Sequence, residues 1–465
     1  MSRRSLRRRS PARRKGGVGL VALAGATVLT LAACSSSSSS TSGSSSTPAA
    51  GSTSSVGSTT SGSIVWSASP LSGTGANDAR TVLINAFEKQ YPNIKVTLVS
   101  ASTDTDTNRS TLATQIAGGA GPDVFMGDVI WPAQFGAHQL AVPLSQYLPA
   151  SYFSKFAPGL ASGATYKGAV YGSPLFEDQG FLYYRKDLLT KDGLPVPTTW
   201  EQLETDAKTV LAKGQSKYGF VWEGASYEGL TCNFMEYLTD AGGTAANSGY
   251  TKATLNSAAA LKAVTFMRSL ITSGATPAAV TTFQEPQAMN TFAGGQAVFL
   301  RNWDYAYQDS ITAADGGKLT ASQVGVVPLP TFAGQTPVPG YSNIGGWNMY
   351  INPHSKHLGA DLTFIQWLSS TTAQDILSQK YGFISTVTSV RTSPSVVSSN
   401  PVFAIVPNTH LVPRPAGTPN YPALSTAIYQ NVNGALAGSA SPSAAVASME
   451  SAANTALSTS SSGGL

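Results

Sequence analysis

From Ile64 onward two hydrophobic periods take turns along the chain. Ile64-Val65-Trp66 is a continuous apolar run and predicts a buried strand. Residues 70–77 are a Gly-rich loop. Val82, Leu83, Ala86 and Phe87 then recur at helical spacing, and that helix must stop near Tyr91 because Pro92 follows. Ile94, Val96 and Leu98 alternate with polar residues, as a half-buried strand does. Residues 123–126 predict a short apolar strand. Thr198 with Glu201 three residues on reads as a capping box, opening a helix that carries Trp200, Leu203, Ala207, Val210 and Leu211 and closes at Gly214. A second long helix is expected over about 257–273, with Leu261, Val264, Leu270 and Ile271 on its apolar face. A third is expected over about 358–369, with Leu362, Ile365 and Leu368. No tandem repeat is evident. Strands alternating with helices over this length predict α/β layers, with ligands held by loops at strand ends.

The N-terminal pattern is different. Eight basic residues lie between Arg3 and Lys15, an apolar stretch fills 18–33, and Leu31-Ala-Ala leads into Cys34. Charged region, apolar region and small residues before a cut are the layout of a secretory signal. Cys34 in this setting resembles the bacterial lipobox, whose thiol receives a diacylglycerol. The apolar stretch falls short of the ~20 residues a membrane span needs and is broken by Gly19 and Gly25. Residues 1–33 are therefore expected to be a lipoprotein signal peptide, Cys34 the lipidation site, and 34–63, rich in Ser, Thr and Gly, a flexible tether. Arg3-Arg4 also resembles a twin-arginine export signal, and the export route stays open. The lipid would moor the protein to the outer face of the cell membrane.

That segment changes the meaning of the charge. The whole chain carries +5, and the eight basic residues of 1–33 have no acids beside them, so −3 remains for the rest. A nucleic-acid footprint of clustered Lys and Arg is not expected on the folded part. Of the two cysteines, Cys232 is left without a partner. Its neighbours Leu230, Phe234 and Met235 predict a buried core thiol. About 400 residues remain after the tether, enough for two lobes of ordinary domain size.

Five stretches, in order, together resemble the family 1 extracellular solute-binding proteins of ABC importers. They are 121–131 with 141–144, 171–188 with the Pro-Thr-Thr-Trp200 helix start, 289–303, 345–367, and Arg414-Pro415 with Tyr421. Residues 220–237, with Tyr227, Glu228 and Cys232, are similar to the trehalose/maltose-binding subgroup. The resemblance implies an α/β protein of the two-lobed type II periplasmic-binding-protein fold, with discontinuous lobes, a hinge and a ligand cleft between them. By analogy, 64–176 and 324–371 form one lobe, and 177–323 and 372–465 the other. It also implies a sugar ligand, a membrane permease as partner, a monomer, and no cofactor or metal.

A sugar presents C–H faces that stack on aromatic rings and a rim of hydroxyls that must find partners once water leaves. Carboxylates accept from those hydroxyls, and Arg donates. Trp303, just after the apolar run 297–300, and Trp347, after Gly345-Gly346, are the expected platforms. Trp66, Trp200 and Trp367 lie on regular elements and are expected in the core. Asp128, Asp178 and Arg414, clamped between Pro413 and Pro415, are the expected polar partners. Phe176 is an expected cleft wall where subgroup members often carry a hydroxyl. Gly346, Tyr227 and Glu228 are further candidates, and Arg109 and Asn77 match more loosely.

A glycoside hydrolase would need two carboxylates flanking one bond. Glu177 and Asp178 are adjacent, so on a strand they point to opposite faces. The four histidines are scattered, and His354-x-x-His357 lacks a third metal ligand. An adhesin should show repeats or an all-β pattern, and neither is present.

Overall fold

The structure, a computed structural model, describes residues 61–459; the expected signal peptide, Cys34 and the expected tether up to residue 60 lie outside the described residues. Strands β1 (Gly62–Ala68), β2 (Ile94–Ser100), β3 (Val124–Asp128), β4 (Ser173–Gln179), β5 (Phe181–Arg185), β6 (Tyr218–Val221), β7 (Ala297–Asn302), β8 (Val324–Pro328), β9 (Tyr341–Ile351), β10 (Ile384–Ser385) and β11 (His410–Val412) build two main sheets among the described residues. The larger runs β10-β4-β9-β3-β1-β2, with β11 also on β9. β2 and β3 flank β1 in parallel, whereas β9 runs antiparallel to both β3 and β4. The smaller sheet runs β8-β5-β7-β6.

The helices that cover these sheets are α1 (Ala79–Gln90), α2 (Thr105–Ala117), α3 (Trp200–Ala212), α4 (Glu228–Asp240), α5 (Ala258–Thr272), α6 (Glu285–Ala293), α7 (Leu358–Leu368), α8 (Tyr421–Ala437) and α9 (Pro442–Ser458). α1 is capped by Asp78, whose side chain accepts from the Arg80 amide, buries Leu83 and Phe87, and ends at Gln90, with Tyr91 as its C-cap just before Pro92. The α3 cap lies one residue later than the spacing predicts. Thr199, not Thr198, accepts the Gln202 amide, and Glu201 turns away to accept the Ala333 amide. On α5 the buried face is Ala260, Ala263, Val264, Met267 and Leu270, and Leu261 points outward. Small alanines on this face let α4, α8 and α9 pack close against α5. Trp66, Trp200 and Trp367 are core residues, as is Cys232. No helix among the described residues is long and apolar enough to cross a membrane.

The chain passes from the larger sheet to the smaller through one residue, Gly180, between β4 and β5. A Cβ there would lie 2.5 Å from Glu236 Oε1 and 2.7 Å from Arg301 Nη2, so only glycine fits. Two lobe boundaries drawn from the sequence disagree with the pairing. β8, which the 323/324 boundary gives to the first lobe, pairs with β5 from Val324↔Arg185 to Pro328↔Phe181 and so belongs to the smaller sheet. β10, beyond the 371/372 boundary, pairs with Phe176 and Glu177 and extends the larger sheet. A strand joins whichever edge can satisfy its backbone groups, and composition does not show which edge that is. The first strand also begins at Gly62, inside the expected tether.

Candidate functional site

Register brings the candidates together. Residues opposite each other in an antiparallel pair share a face. Trp347 of β9 faces Asp128 of β3 on one side and Phe176 of β4 on the other, and Gly345 faces Asp178. The register slips between Trp347 and Asn348, which pair with Phe176 and Pro174, so Leu175 of β4 is the extra residue of a bulge beside Trp347. Gly346 sits at φ +118°, and a Cβ on it would meet the Phe176 carbonyl oxygen at 2.5 Å. The Trp131 ring supports Trp347 from behind, edge to face, with centroids 6.4 Å apart. β7 ends beside the Gly180 crossing, because Asn302 pairs with Phe181, and this sets Trp303 at the junction of the two sheets.

Two adjoining cavities open here, of about 240 Å³ and about 60 Å³. Both are lined by Asp178, Tyr227, Glu285 and Trp347. Phe176 lines the larger, and Asp128, Glu228, Trp303, Gly346 and Arg414 line the smaller. Arg109 and Asn77 line neither. Arg109 donates instead to Gln134 Oε1 at 3.2 Å. Asn77 is exposed, and its carbonyl accepts the Tyr381 hydroxyl at 2.7 Å, while Ser69 and Ser72 of the same loop reach the cavity. A roomier cavity of about 440 Å³ shares Phe176, Gly345 and Arg414, but its wall is mostly apolar. The two smaller cavities, where the carboxyl groups and both tryptophans converge, form the candidate site.

Arg414 is the buried clamp. It donates to Asp128 at 2.7 and 3.2 Å and to Glu228 at 2.9 Å, tying β3 to the first residue of α4. Glu228 also accepts from the Ser425 hydroxyl at 2.5 Å and from the Tyr421 hydroxyl of α8. Burial pushes the Glu228 carboxyl up to about 7, against the pull of Arg414. Beneath the site Arg301 donates to Glu236 at 2.9 and 2.5 Å and to Glu223 at 3.0 Å. Its guanidinium carbon lies 4.0 Å from the Trp303 ring centre, a cation–π stack that fixes the indole.

Sequence reasoning gave no role to Glu223, Glu285, Asp304 or Asp309. Glu285 accepts the Tyr305 hydroxyl, and Glu223 accepts the Tyr227 hydroxyl. Asp304 accepts the Ile384 amide at 2.7 Å, joining the end of β7 to β10 across the two sheets. Asp178 and Asp304 are both buried and share a side-chain hydrogen bond, one carboxyl donating its proton to the other. Burial and mutual repulsion raise the Asp178 carboxyl well above the usual carboxylate range, and burial brings Asp304 to about 7. Glu285 follows Gln284 at the start of α6, and that helix start was the only signal it left in the sequence. Among the described residues no group of three or more His, Cys, Asp or Glu side chains converges to hold a metal ion.

Comparison with known proteins places this geometry. Residues 73–375 match the family described as bacterial extracellular solute-binding protein. A probable ABC transporter-binding protein of Deinococcus radiodurans is 31% identical over 376 residues, spanning 79% of this chain and 87% of that protein. The maltose-bound T. maritima MalE3 structure superposes with a TM-score of 0.76 at 32% identity, over 84% of this chain and 98% of that one. The GacH receptor of Streptomyces glaucescens, solved unliganded and with acarbose, gives 0.74 at 25% identity, over 85% and 98%. These likenesses show the two-lobed α/β fold of type II periplasmic binding proteins, a family of binding proteins rather than enzymes. By the match across 73–375 and the Deinococcus relative, the chain belongs to the bacterial extracellular solute-binding proteins.

Proposed function

We propose that this protein is the substrate-binding subunit of an ABC importer, tethered by lipid at Cys34 outside the cytoplasm, and that its ligand is a sugar. The carrying observation is the pair Trp303 and Trp347 around one cleft with Asp128, Asp178 and Arg414. Indole faces suit the C–H surfaces of a pyranose, and the surrounding carboxyl and guanidinium groups suit its hydroxyls. Glucosyl disaccharides such as maltose or trehalose are the first candidates, supported by the maltose-bound neighbour; another oligosaccharide or sugar derivative is the alternative. One lobe carries the larger sheet and the other the smaller. They close by a hinge at Gly180 and at the other chain crossings, so that a monomer delivers the sugar to the membrane permease without a cofactor. Calorimetric titration with a panel of mono- and disaccharides tests the reading. Trp347→Ala should weaken binding about tenfold or more, the loss of a stacking platform costing ~1–2 kcal/mol, with circular dichroism unchanged. Binding of the panel that is equally tight in Trp347→Ala would mean that the site lies elsewhere.

A further inference from the structure

The bond between Asp178 and Asp304 crosses from one sheet to the other. Asp178 lies on β4 of the larger sheet, and Asp304 follows β7 of the smaller one by two residues. Asp304 is fully buried, and Asp178 is 7% exposed. Asp304 Oδ2 accepts the Ile384 amide of β10 at 2.7 Å, so this carboxyl reaches back into the larger sheet. Each group has an Oδ1 closed to solvent that takes no amide, hydroxyl or cation of the described residues, and the bond between the two carboxyls is what remains to it. A carboxylate only accepts hydrogen bonds, so two carboxylates cannot bond to each other, and a proton has to lie between them. The cations nearby are already taken: Arg301 by Glu223 and Glu236, Arg391 by Glu177, and Arg414 by Asp128 and Glu228. The titratable and charged groups that face the pair are Asp128 of β3, Glu177 of β4, Tyr183 of β5, Glu285 of α6 and, through Tyr183, Arg301 of β7. The pair also belongs to the floor of the cleft. Asp178 lines both cavities of the candidate site. A Cβ on Gly345 would lie 3.2 Å from Asp178 Cβ and 3.1 Å from Trp303 Cζ3, so Asp178 and the Trp303 ring stand side by side.

We infer that Asp304 is a positioning residue of the cleft: it keeps a proton on Asp178, and the protein binds its sugar only with that proton in place. This rests on the sugar-binding reading above and adds the proton to it as a second ligand. With the proton, the end of β7 is bonded to β4 and, through the Ile384 amide, to β10, which sets Trp303 against the larger sheet. Without it, two carboxylates face each other where water cannot solvate them, and their repulsion drives Asp304, with Trp303 next to it in the chain, away from Asp178. A neutral carboxyl group also suits a sugar, which brings no charge of its own into the cleft. Burial raises the proton affinity of both groups, Asp304 to about 7 and Asp178 well above the usual carboxylate range. A proton held with raised affinity is fully in place below the raised values and is lost as pH climbs through them. Binding is therefore steady at and below neutral pH and fails in alkali.

The test is calorimetric titration with maltose and with trehalose from pH 6 to pH 9.5, on the purified wild-type protein and on Asp304→Asn. The Asn side chain has the same shape, its NH₂ donates to the Asp178 carboxylate with no proton needed, and its oxygen still accepts the Ile384 amide. Wild-type affinity should fall about tenfold or more across the range, and that of Asp304→Asn less than about threefold. At pH 9, titrations in two buffers of different ionisation enthalpy should show proton uptake on binding by the wild type and none by the variant. Wild-type affinity that stays flat, or an equal fall in both proteins, overturns the inference and leaves the sugar reading standing. Should Asp304→Asn not fold, the wild-type profile and its proton uptake decide: a flat profile or no uptake overturns the inference. No binding of either sugar at any pH, in protein shown folded by circular dichroism, overturns the sugar reading instead. The pair is then judged by melting temperature, whose drop from pH 6 to pH 9.5 should be smaller in Asp304→Asn, and an equal drop overturns the inference as well.

Discussion

Arg414 shows how much one buried residue can hold. It is 5% exposed, lies between two prolines, and neutralises Asp128 and Glu228, which come from strand and helix elements far apart in sequence. Removing one partner of a buried ion pair leaves the others charged in a medium that solvates them poorly. Arg414→Ala should therefore destabilise the protein by about 3–5 kcal/mol, measured by urea denaturation, and ligand binding should fall with it. Arg414→Lys should recover only part, because an ammonium cannot serve Asp128 in fork geometry while also reaching Glu228. Proline on both sides and the likeness to the family marked Arg414 in the sequence. Its two carboxylate partners could not be paired with it until the fold set them within 3.2 Å.

At the scale of elements, the crossing from β4 to β5 is the most constrained point. Gly180 lies against the Arg301–Glu236 pair, so a methyl group would push on two buried charged side chains that cannot move into water. Gly180→Ala should cost about 1–3 kcal/mol and lower the melting temperature, read by differential scanning calorimetry, while Gly193→Ala offers a contrast. Gly193 has open space around it, and its penalty comes from φ +67° alone. Helices were the more legible elements. The α1 stop before Pro92 and the buried row of α7 follow from local rules. Strand partners were less legible, and β8 and β10 lie in the sheets opposite to those expected. Pairing partners lie up to hundreds of residues apart, and no local pattern encodes which edge a strand will meet.

For the whole molecule, buried carboxyl groups set the response to pH. Burial raises Glu228 and Asp304 to about 7, and Glu285 and Asp309 to about 8. Acids with raised folded-state values favour the folded state in their protonated form. Their contribution is fully present below the unfolded value of about 4 and is lost as pH rises through 7 to 8. The unliganded protein should therefore melt at a higher temperature at pH 5.5 than at pH 8. A flat or rising profile over that range would mean that these carboxyls are ionised and compensated in the fold.

The sequence by itself determined the local features: the α/β alternation, the helix starts and stops, and the core tryptophans. Each depends on neighbours within a few residues, where periodicity and turn chemistry act directly. Tertiary structure decided which carboxyls share a cation and which go without. It also decided that Asn77 stays at the surface while Ser72 reaches the cavity, and that Glu285 and Asp309 face the same space as Asp178. Those outcomes depend on burial and on distances between remote segments. A carboxyl has the same formula on the surface and in the cleft, and only its surroundings fix its charge and its partner.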